Sequence, residues 1–174
     1  MLKLMYITND PKVAKIAADA GVDRIFIDME VLGKVERQGG MDTVQSYHVP
    51  EDIAKVRAAI GDQAEIMARV NPLNPNSQTE IDDAIANGAD VIMLPMWRTA
   101  DDLRRLVSMV NGRAKVMPLL ETDTAADNLP EAVKVSGIDQ MHIGLNDLHL
   151  CYHQKFMFQL LTDGTVDRLC AELR

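Results

Sequence analysis

The sequence predicts a parallel α/β fold built from repeated β/α units, and three observations support this. Short apolar runs typical of strands alternate with amphipathic stretches that keep helical spacing. The strand runs are almost continuously apolar, as in parallel strands covered on both faces. The chain has 174 residues, 47% hydrophobic and 25% charged, which suits one globular domain over 1–174. Two arrangements remain open, a doubly wound open sheet and part of a (β/α)₈ barrel.

The first two units frame a polar insertion. The strand 2–8 precedes a helix whose expected apolar stripe consists of Val13, Ile16, Ala17 and Ala20. The strand 24–30 precedes the insertion 31–49 and then a helix that Pro50 is well placed to start. The expected stripe of that second helix consists of Ile53, Val56 and Ile60.

The next four strands are expected at 65–70, 91–95, 115–121 and 140–145. Gly88 suits the end of the helix after the third strand, and Thr99 with Asp102 resembles a capping box before the next helix. Pro130 interrupts the stretch after the fifth strand, which predicts two short helices there. A final helix is expected around 165–173.

Composition and charge exclude several classes of partner. The formal net charge of -8 and the pI of about 4.9 argue against nucleic-acid and anionic-membrane partners. No apolar run approaches the ~20 residues of a membrane span, and the N-terminus does not resemble a signal peptide. Cys151 and Cys170 have no metal-type spacing, which is typical of cytosolic thiols. We therefore expect a soluble, cytoplasmic protein.

Polar residues recur where the predicted strands end, which is the edge at which parallel α/β folds bind ligands. They are Asp28, Glu30, Arg69, Glu121 and Asp147. Each also has a purely structural interpretation. Asp28 or Glu30 could cap a helix or pair with Lys34, and Arg69 could form an ion pair with a carboxylate. Glu121 and Asp147 could be first-turn or capping residues of helices.

A shared site would explain all five positions together. Carboxylates without a convincing cysteine or histidine partner suit a hard divalent cation such as Mg²⁺. Arg69 could hold a substrate carboxylate or a developing enolate in a bidentate fork. The four histidines are scattered along the chain; they are His48, His142, His149 and His153. The sequence contains no nucleotide-binding or serine-hydrolase motif.

Several segments, in order and in register, resemble one family. "FIDME", "MARVNP", "NGADVIMLPM" and "PLLETDTAADNLPEAVKVSGIDQMHIGLNDL" are similar to the HpcH/HpaI aldolase and citrate lyase β-subunit-like family, over about residues 2–150. The resemblance implies a (β/α)₈ barrel of the phosphoenolpyruvate/pyruvate superfamily. It also implies a divalent-metal-dependent carbon–carbon lyase.

The resemblance also implies roles for residues. Glu121 of the "ET" motif and Asp147 of the "DL" motif would bind Mg²⁺, or Mn²⁺ or Co²⁺ in its place. Arg69 would bind the carboxylate of a keto acid or acyl substrate. Asp28 and Glu30 would have catalytic roles, either next to the direct metal ligands or holding metal-bound water. Residues at the end of the fourth strand and directly after it would contact substrate, namely Pro95, Met96 and Trp97.

The chain departs from the family pattern at two points. Val31 stands where aldolases of this type carry a histidine, while Lys34 and Arg37 resemble the citrate lyase β pattern. The general base is thus open between metal-bound hydroxide and a group from the insertion. Only about six units are present against the eight of a barrel of about 250 residues, so we expect a C-terminally incomplete barrel with exposed apolar strand edges.

The leading hypothesis is an aldolase-type lyase that forms an enolate from a 2-keto acid unit. The alternatives are a citrate lyase β-like enzyme acting on an acyl-CoA thioester, and a non-catalytic barrel that binds a small acid or serves in assembly. A homo-oligomer is expected in each case.

Overall fold

The computed structural model describes residues 2–33 and 46–174. These residues divide into two compact units, the first ending at Met93 and the second running over Leu94–Arg174. The elements that begin in the first unit are β1 (Met5–Ile7), α1 (Pro11–Asp19), β2 (Arg24–Asp28), α2 (Pro50–Ile60), β3 (Glu65–Arg69), α3 (Ser77–Ala86) and β4 (Val91–Leu94). The second unit contains α4 (Ala100–Val110), β5 (Lys115–Leu120), α5 (Asp123–Asp127), α6 (Leu129–Ala132), β6 (His142–Ile143), α7 (Leu145–Cys151), a 3₁₀ helix (Met157–Leu161) and α8 (Thr165–Glu172).

The strands confirm the predicted α/β class and decide between its two arrangements. In the first unit β1, β2, β3 and β4 lie side by side in chain order, and each pair is parallel. A doubly wound sheet reverses its strand order at a switch point, whereas a barrel keeps chain order. The first unit therefore has the topology of a barrel segment. In the second unit β5 and β6 are also parallel.

Packing in the first unit confirms one predicted helix stripe and corrects another. α2 begins at Pro50 as predicted, and its stripe Ile53, Val56 and Ile60 is buried. In α1 the predicted stripe is right at Ala17 and wrong at Ile16 and Ala20, since Ile16 is 69% exposed and Ala20 is also exposed; the buried residues are Ala14, Ala17 and Ala18. α1 contacts α2, and its buried residues are all small.

β1 shows the expected exposure of apolar residues at an edge strand. Its three residues Met5, Tyr6 and Ile7 are all exposed, in contrast to β2, whose five residues are all buried. Among residues 2–33 and 46–174, β1 pairs with β2 and stands at the end of the strand order, so it has the exposed character of an edge strand.

The second unit confirms most of the predicted elements. Thr99 and Asp102 form the capping box of α4, whose residues Leu103 and Leu106 are buried. The break near Pro130 separates α5 from α6. β6 has only two residues, shorter than the predicted 140–145. Over residues 2–33 and 46–174, no helix is long and apolar enough to cross a membrane.

Candidate active site

The end of β2 carries a buried acid pair that faces Arg69 of β3. Parallel register places Asp28 beside Arg69. The guanidinium binds Asp28 side-on, with Nε donating to Oδ1 and Nη2 donating to Oδ2, both at 2.8 Å. Glu30 Oε2 lies 3.4 Å from Arg69 Nε. The ion pair that the sequence offered as a structural role for Arg69 is thus present, and it has the strong bidentate form.

Burial raises the free-energy cost of any uncompensated charge in this cluster. The side chains of Asp28 and Glu30 are 3% and 2% exposed, and that of Arg69 is 15% exposed. Two carboxylates therefore share one guanidinium away from bulk water, where an uncompensated charge is costly. The Phe26 ring lies 5.4 Å from the guanidinium carbon and adds a cation–π contact.

The main chain that carries the acid pair is fixed by side chains from other elements. The Asp28 amide donates to His48 Nδ1 at 3.0 Å. The Val31 and Leu32 amides both donate to Asn71 Oδ1, at 2.8 and 2.9 Å. Neither His48 nor Asn71 was assigned a role from the sequence. Only the position of Asn71, two residues after Arg69 in "MARVNP", could have indicated one.

Glu121 is the buried carboxylate of the second unit. It follows β5 directly and is 3% exposed. Its Oε1 accepts a hydrogen bond of 3.0 Å from the Met96 amide. Met96 has a φ of 54°, uncommon for a residue with a side chain, and this conformation belongs to the turn after β4. The turn after β4 therefore orients one oxygen of Glu121.

Gly144 and Asp147 follow β6 in the same unit. A Cβ at Gly144 would lie 3.0 Å from Glu121 Cβ and 3.4 Å from Glu121 Oε2, so glycine allows the close approach of the two strand ends. Asp147 is half-buried in the first turn of α7. The side chains of Glu121 and Asp147 end in carboxylates, which are hard oxygen ligands. Mg²⁺ is commonly bound by one or two protein carboxylates. Within residues 2–33 and 46–174, no cluster of three or more His, Cys, Asp or Glu side chains has a metal-holding arrangement.

The three residues assigned to substrate binding differ in exposure. Pro95 and Trp97 are buried, whereas Met96 is half-buried. The buried indole Nε1 of Trp97 has no hydrogen-bond partner within the part of the chain that the structure describes. Substrate contact by these residues stays a prediction.

The insertion is described only at its two ends. Val31, at the histidine position of the aldolases, is exposed, and its amide belongs to the Asn71 contact described above. Lys34 and Arg37, which suggested the citrate lyase β pattern, lie outside the described residues.

Comparison with protein families defines the class. The HpcH/HpaI aldolase/citrate lyase family model matches residues 3–155, most of the chain. The protein therefore belongs to the HpcH/HpaI aldolase/citrate lyase family, whose members are lyases. Comparison with curated proteins gave no match.

Solved structures of low sequence identity share the fold. A HpcH/HpaI aldolase/citrate lyase family protein from Burkholderia cenocepacia is 18% identical, with a TM-score of 0.74 over 98% of this chain and 73% of its own. A HpcH/HpaI aldolase from Desulfitobacterium hafniense is 14% identical, with a TM-score of 0.71 over 98% and 72%. The citrate lyase β subunit from M. tuberculosis, complexed with oxaloacetate and magnesium, is 18% identical, with a TM-score of 0.64 over 98% and 70%. These likenesses support the partial barrel-type fold predicted from the sequence.

Proposed function

We propose that the protein is a divalent-metal-dependent carbon–carbon lyase that forms an enolate from a 2-keto acid unit. Family membership supports the lyase class. The observation that carries the finer proposal is Glu121, a buried carboxylate at the C-terminal end of β5 whose orientation is set by the Met96 amide. Carboxylate oxygens are the ligands that Mg²⁺ takes from proteins, and a side chain held at a strand end presents such an oxygen where parallel α/β folds bind ligands.

Glu121 and Asp147 are the residues that would hold the cation. When bound, Mg²⁺ or Mn²⁺ would supply positive charge to the oxygens of a keto acid and favour the charge that develops there. Glu121 is preorganised for this role, because the Met96 amide orients Oε1 and Gly144 leaves space beside the carboxylate.

Arg69 would bind the substrate carboxylate and stabilise the developing negative charge. In the cleavage direction, a base removes the hydroxyl proton of a 4-hydroxy-2-keto acid. The bond between C3 and C4 breaks, an aldehyde leaves, and the bonding electrons form the enolate of the keto acid. A proton then adds to the former C3. Asp28 fixes the orientation of the guanidinium through two hydrogen bonds while this charge develops.

Proton NMR of pyruvate in D₂O tests the proposal without knowledge of the natural electrophile. Forming the enolate exchanges methyl protons for deuterium, so the methyl signal should decay with protein and Mg²⁺ present and persist in EDTA. Glu121→Gln and Asp147→Asn should each slow this decay at least about a hundredfold, as for loss of a catalytic charge. The matched control is Glu131→Gln, which changes an exposed surface carboxylate that pairs with Lys134.

Folded, metal-bound protein that fails to exchange the methyl protons would contradict the keto-acid proposal. The absence of a histidine at Val31 would then favour the acyl-CoA alternative. The same NMR measurement with an acyl-CoA in place of pyruvate would test it. Exchange that is equally fast in Glu121→Gln and Glu131→Gln would also contradict the role assigned to Glu121.

A further inference from the structure

We propose that His48 and Asn71 are positioning residues that hold the acid pair of β2 against Arg69. This inference deepens the proposed lyase function and rests on it for its catalytic consequence. The structural part stands on five consecutive amides, those of residues 28–32. Each has an acceptor, and the acceptors are His48 Nδ1, the Arg69 carbonyl, Asp28 Oδ1 and Asn71 Oδ1, the last serving two amides.

The need for side-chain acceptors follows from where the strands end. β1 ends at Ile7, opposite Phe26, and the last main-chain bond on that side runs from the Thr8 amide to the Phe26 carbonyl. The next amide of β2 on this edge belongs to Asp28, where His48 replaces the strand partner. On the other edge the Met29 amide still bonds to the Arg69 carbonyl.

Asn71 fixes the chain beyond Glu30 and is itself anchored. Its Oδ1 accepts from the Val31 and Leu32 amides, so both lone pairs of one oxygen serve the turn that follows the acid pair. The Asn71 amide donates to Glu80 Oε2 of α3 at 3.2 Å. The position of Glu30 is therefore tied through Asn71 to a helix.

The hydrogen bond to His48 also determines the state of its ring. A main-chain N–H can only donate, so Nδ1 must be unprotonated, and a neutral ring then carries its proton on Nε2. A neutral imidazole with this tautomer has no lone pair available to take a substrate proton. His48 of the insertion is therefore a positioning residue and does not replace, as general base, the histidine that Val31 displaces.

Precise placement matters here because two buried carboxylates share one guanidinium. Arg69 keeps its bidentate contact only while Asp28 stays in register with it, and Glu30 already lies at 3.4 Å. A displacement of about 1 Å at such a site can cost about a hundredfold in rate.

Pairs of variants distinguish loss of the hydrogen-bond acceptor from loss of the residue itself. His48→Asn keeps an oxygen near the position of Nδ1, whereas His48→Leu removes the acceptor. Asn71→Asp and Asn71→Leu form the same kind of pair. His153→Asn is the control for loss of a histidine, since His153 is exposed and asparagine tolerates its φ of 54°.

The first readout is amide hydrogen–deuterium exchange followed by ¹⁵N NMR, and it does not depend on activity. The amide of Asp28 should exchange at least about tenfold faster in His48→Leu, and those of Val31 and Leu32 likewise in Asn71→Leu, since about tenfold corresponds to one lost hydrogen bond. The acceptor-retaining variants should restore protection. Unchanged amide exchange in the leucine variants would overturn the inference.

The second readout is the rate of pyruvate methyl exchange in folded protein. We expect kcat to fall about tenfold in the leucine variants with KM changed less than about threefold, and to recover in His48→Asn and Asn71→Asp. If His48→Asn restores amide protection but stays as slow as His48→Leu, the imidazole itself takes part in chemistry and the positioning role is wrong. If wild-type protein exchanges no methyl protons, the keto-acid proposal fails, and amide exchange alone still decides whether His48 and Asn71 hold the strand end.

Discussion

Replacing Arg69 with methionine should destabilise the protein far more than the same change at an exposed arginine. Methionine keeps an apolar chain of similar reach against Phe26 but removes the charge that faces Asp28 and Glu30. Both carboxylates are then left buried without the guanidinium, at 3% and 2% side-chain exposure. The variant therefore tests whether the ion pair holds the end of β2 together as well as serving a substrate.

The magnitude follows from burial. Breaking a buried ion pair by removing one partner costs about 3–5 kcal/mol. Because Arg69 is 15% exposed, we expect the lower end, a loss of about 3 kcal/mol in the free energy of unfolding. Asp28→Asn should lower the free energy of unfolding by less than Arg69→Met does. It removes one of the two negative charges and leaves the other paired with Arg69. The double variant should lose less than the sum of both, with a coupling energy of about 2 kcal/mol.

Urea unfolding of the four proteins, followed by circular dichroism, measures this cycle. The control is Arg104→Met, which removes a pair with Asp101 whose side chains are 57% and 82% exposed, and it should cost about 0.5 kcal/mol or less. A loss for Arg69→Met no larger than for Arg104→Met would refute the reasoning. Additive single changes would show that Asp28 and Arg69 are not energetically coupled.

Three further predictions follow from local contacts. Burial alone would raise the pKa of Asp52, but hydrogen bonds from Asn9, Lys55 and the Val49 amide outweigh it and lower the pKa below 3.8. Its stabilisation is therefore present above that pH and lost in stronger acid, so Asp52→Asn should cost about 1–2 kcal/mol at pH 7 in urea unfolding, and this cost should shrink as the pH is lowered below 3.8. Gly144→Ala should weaken Mn²⁺ binding several-fold by calorimetry, because the new Cβ meets Glu121 at 3.0 Å; unchanged affinity would contradict this. Thr99→Ala should lower stability by about 1 kcal/mol, because α4 loses the side-chain cap on the Asp102 amide, and an unchanged urea midpoint would contradict the cap.

Local sequence signals predicted most of the elements. Pro50, the Thr99 capping box and the break near Pro130 each act within a few residues, and each lies where the sequence placed it. The stripe of α1 was partly wrong because helical spacing alone does not decide which face packs. The buried residues of α1 are alanines, and Ile16 is left exposed.

The grouping of Asp28, Glu30 and Arg69 was predictable from the sequence, but their individual contacts were not. Their positions at the ends of neighbouring parallel strands were enough to place them together. The contact of His48 with Asp28 joins residues 20 apart in the chain, and no periodicity of the sequence encodes it. Cytoplasmic location and a homo-oligomeric state stay predictions.

The most direct test of the metal site at Glu121 and Asp147 is Mn²⁺ titration, with free Mn²⁺ followed by electron paramagnetic resonance. We predict one strong site per chain in wild-type protein and in Glu131→Gln. Glu121→Gln and Asp147→Asn should each lose at least about tenfold in affinity while remaining folded by circular dichroism. Equal Mn²⁺ affinity in all four proteins, or no strong binding in the wild type, would contradict the assignment of Glu121 and Asp147 as the metal ligands.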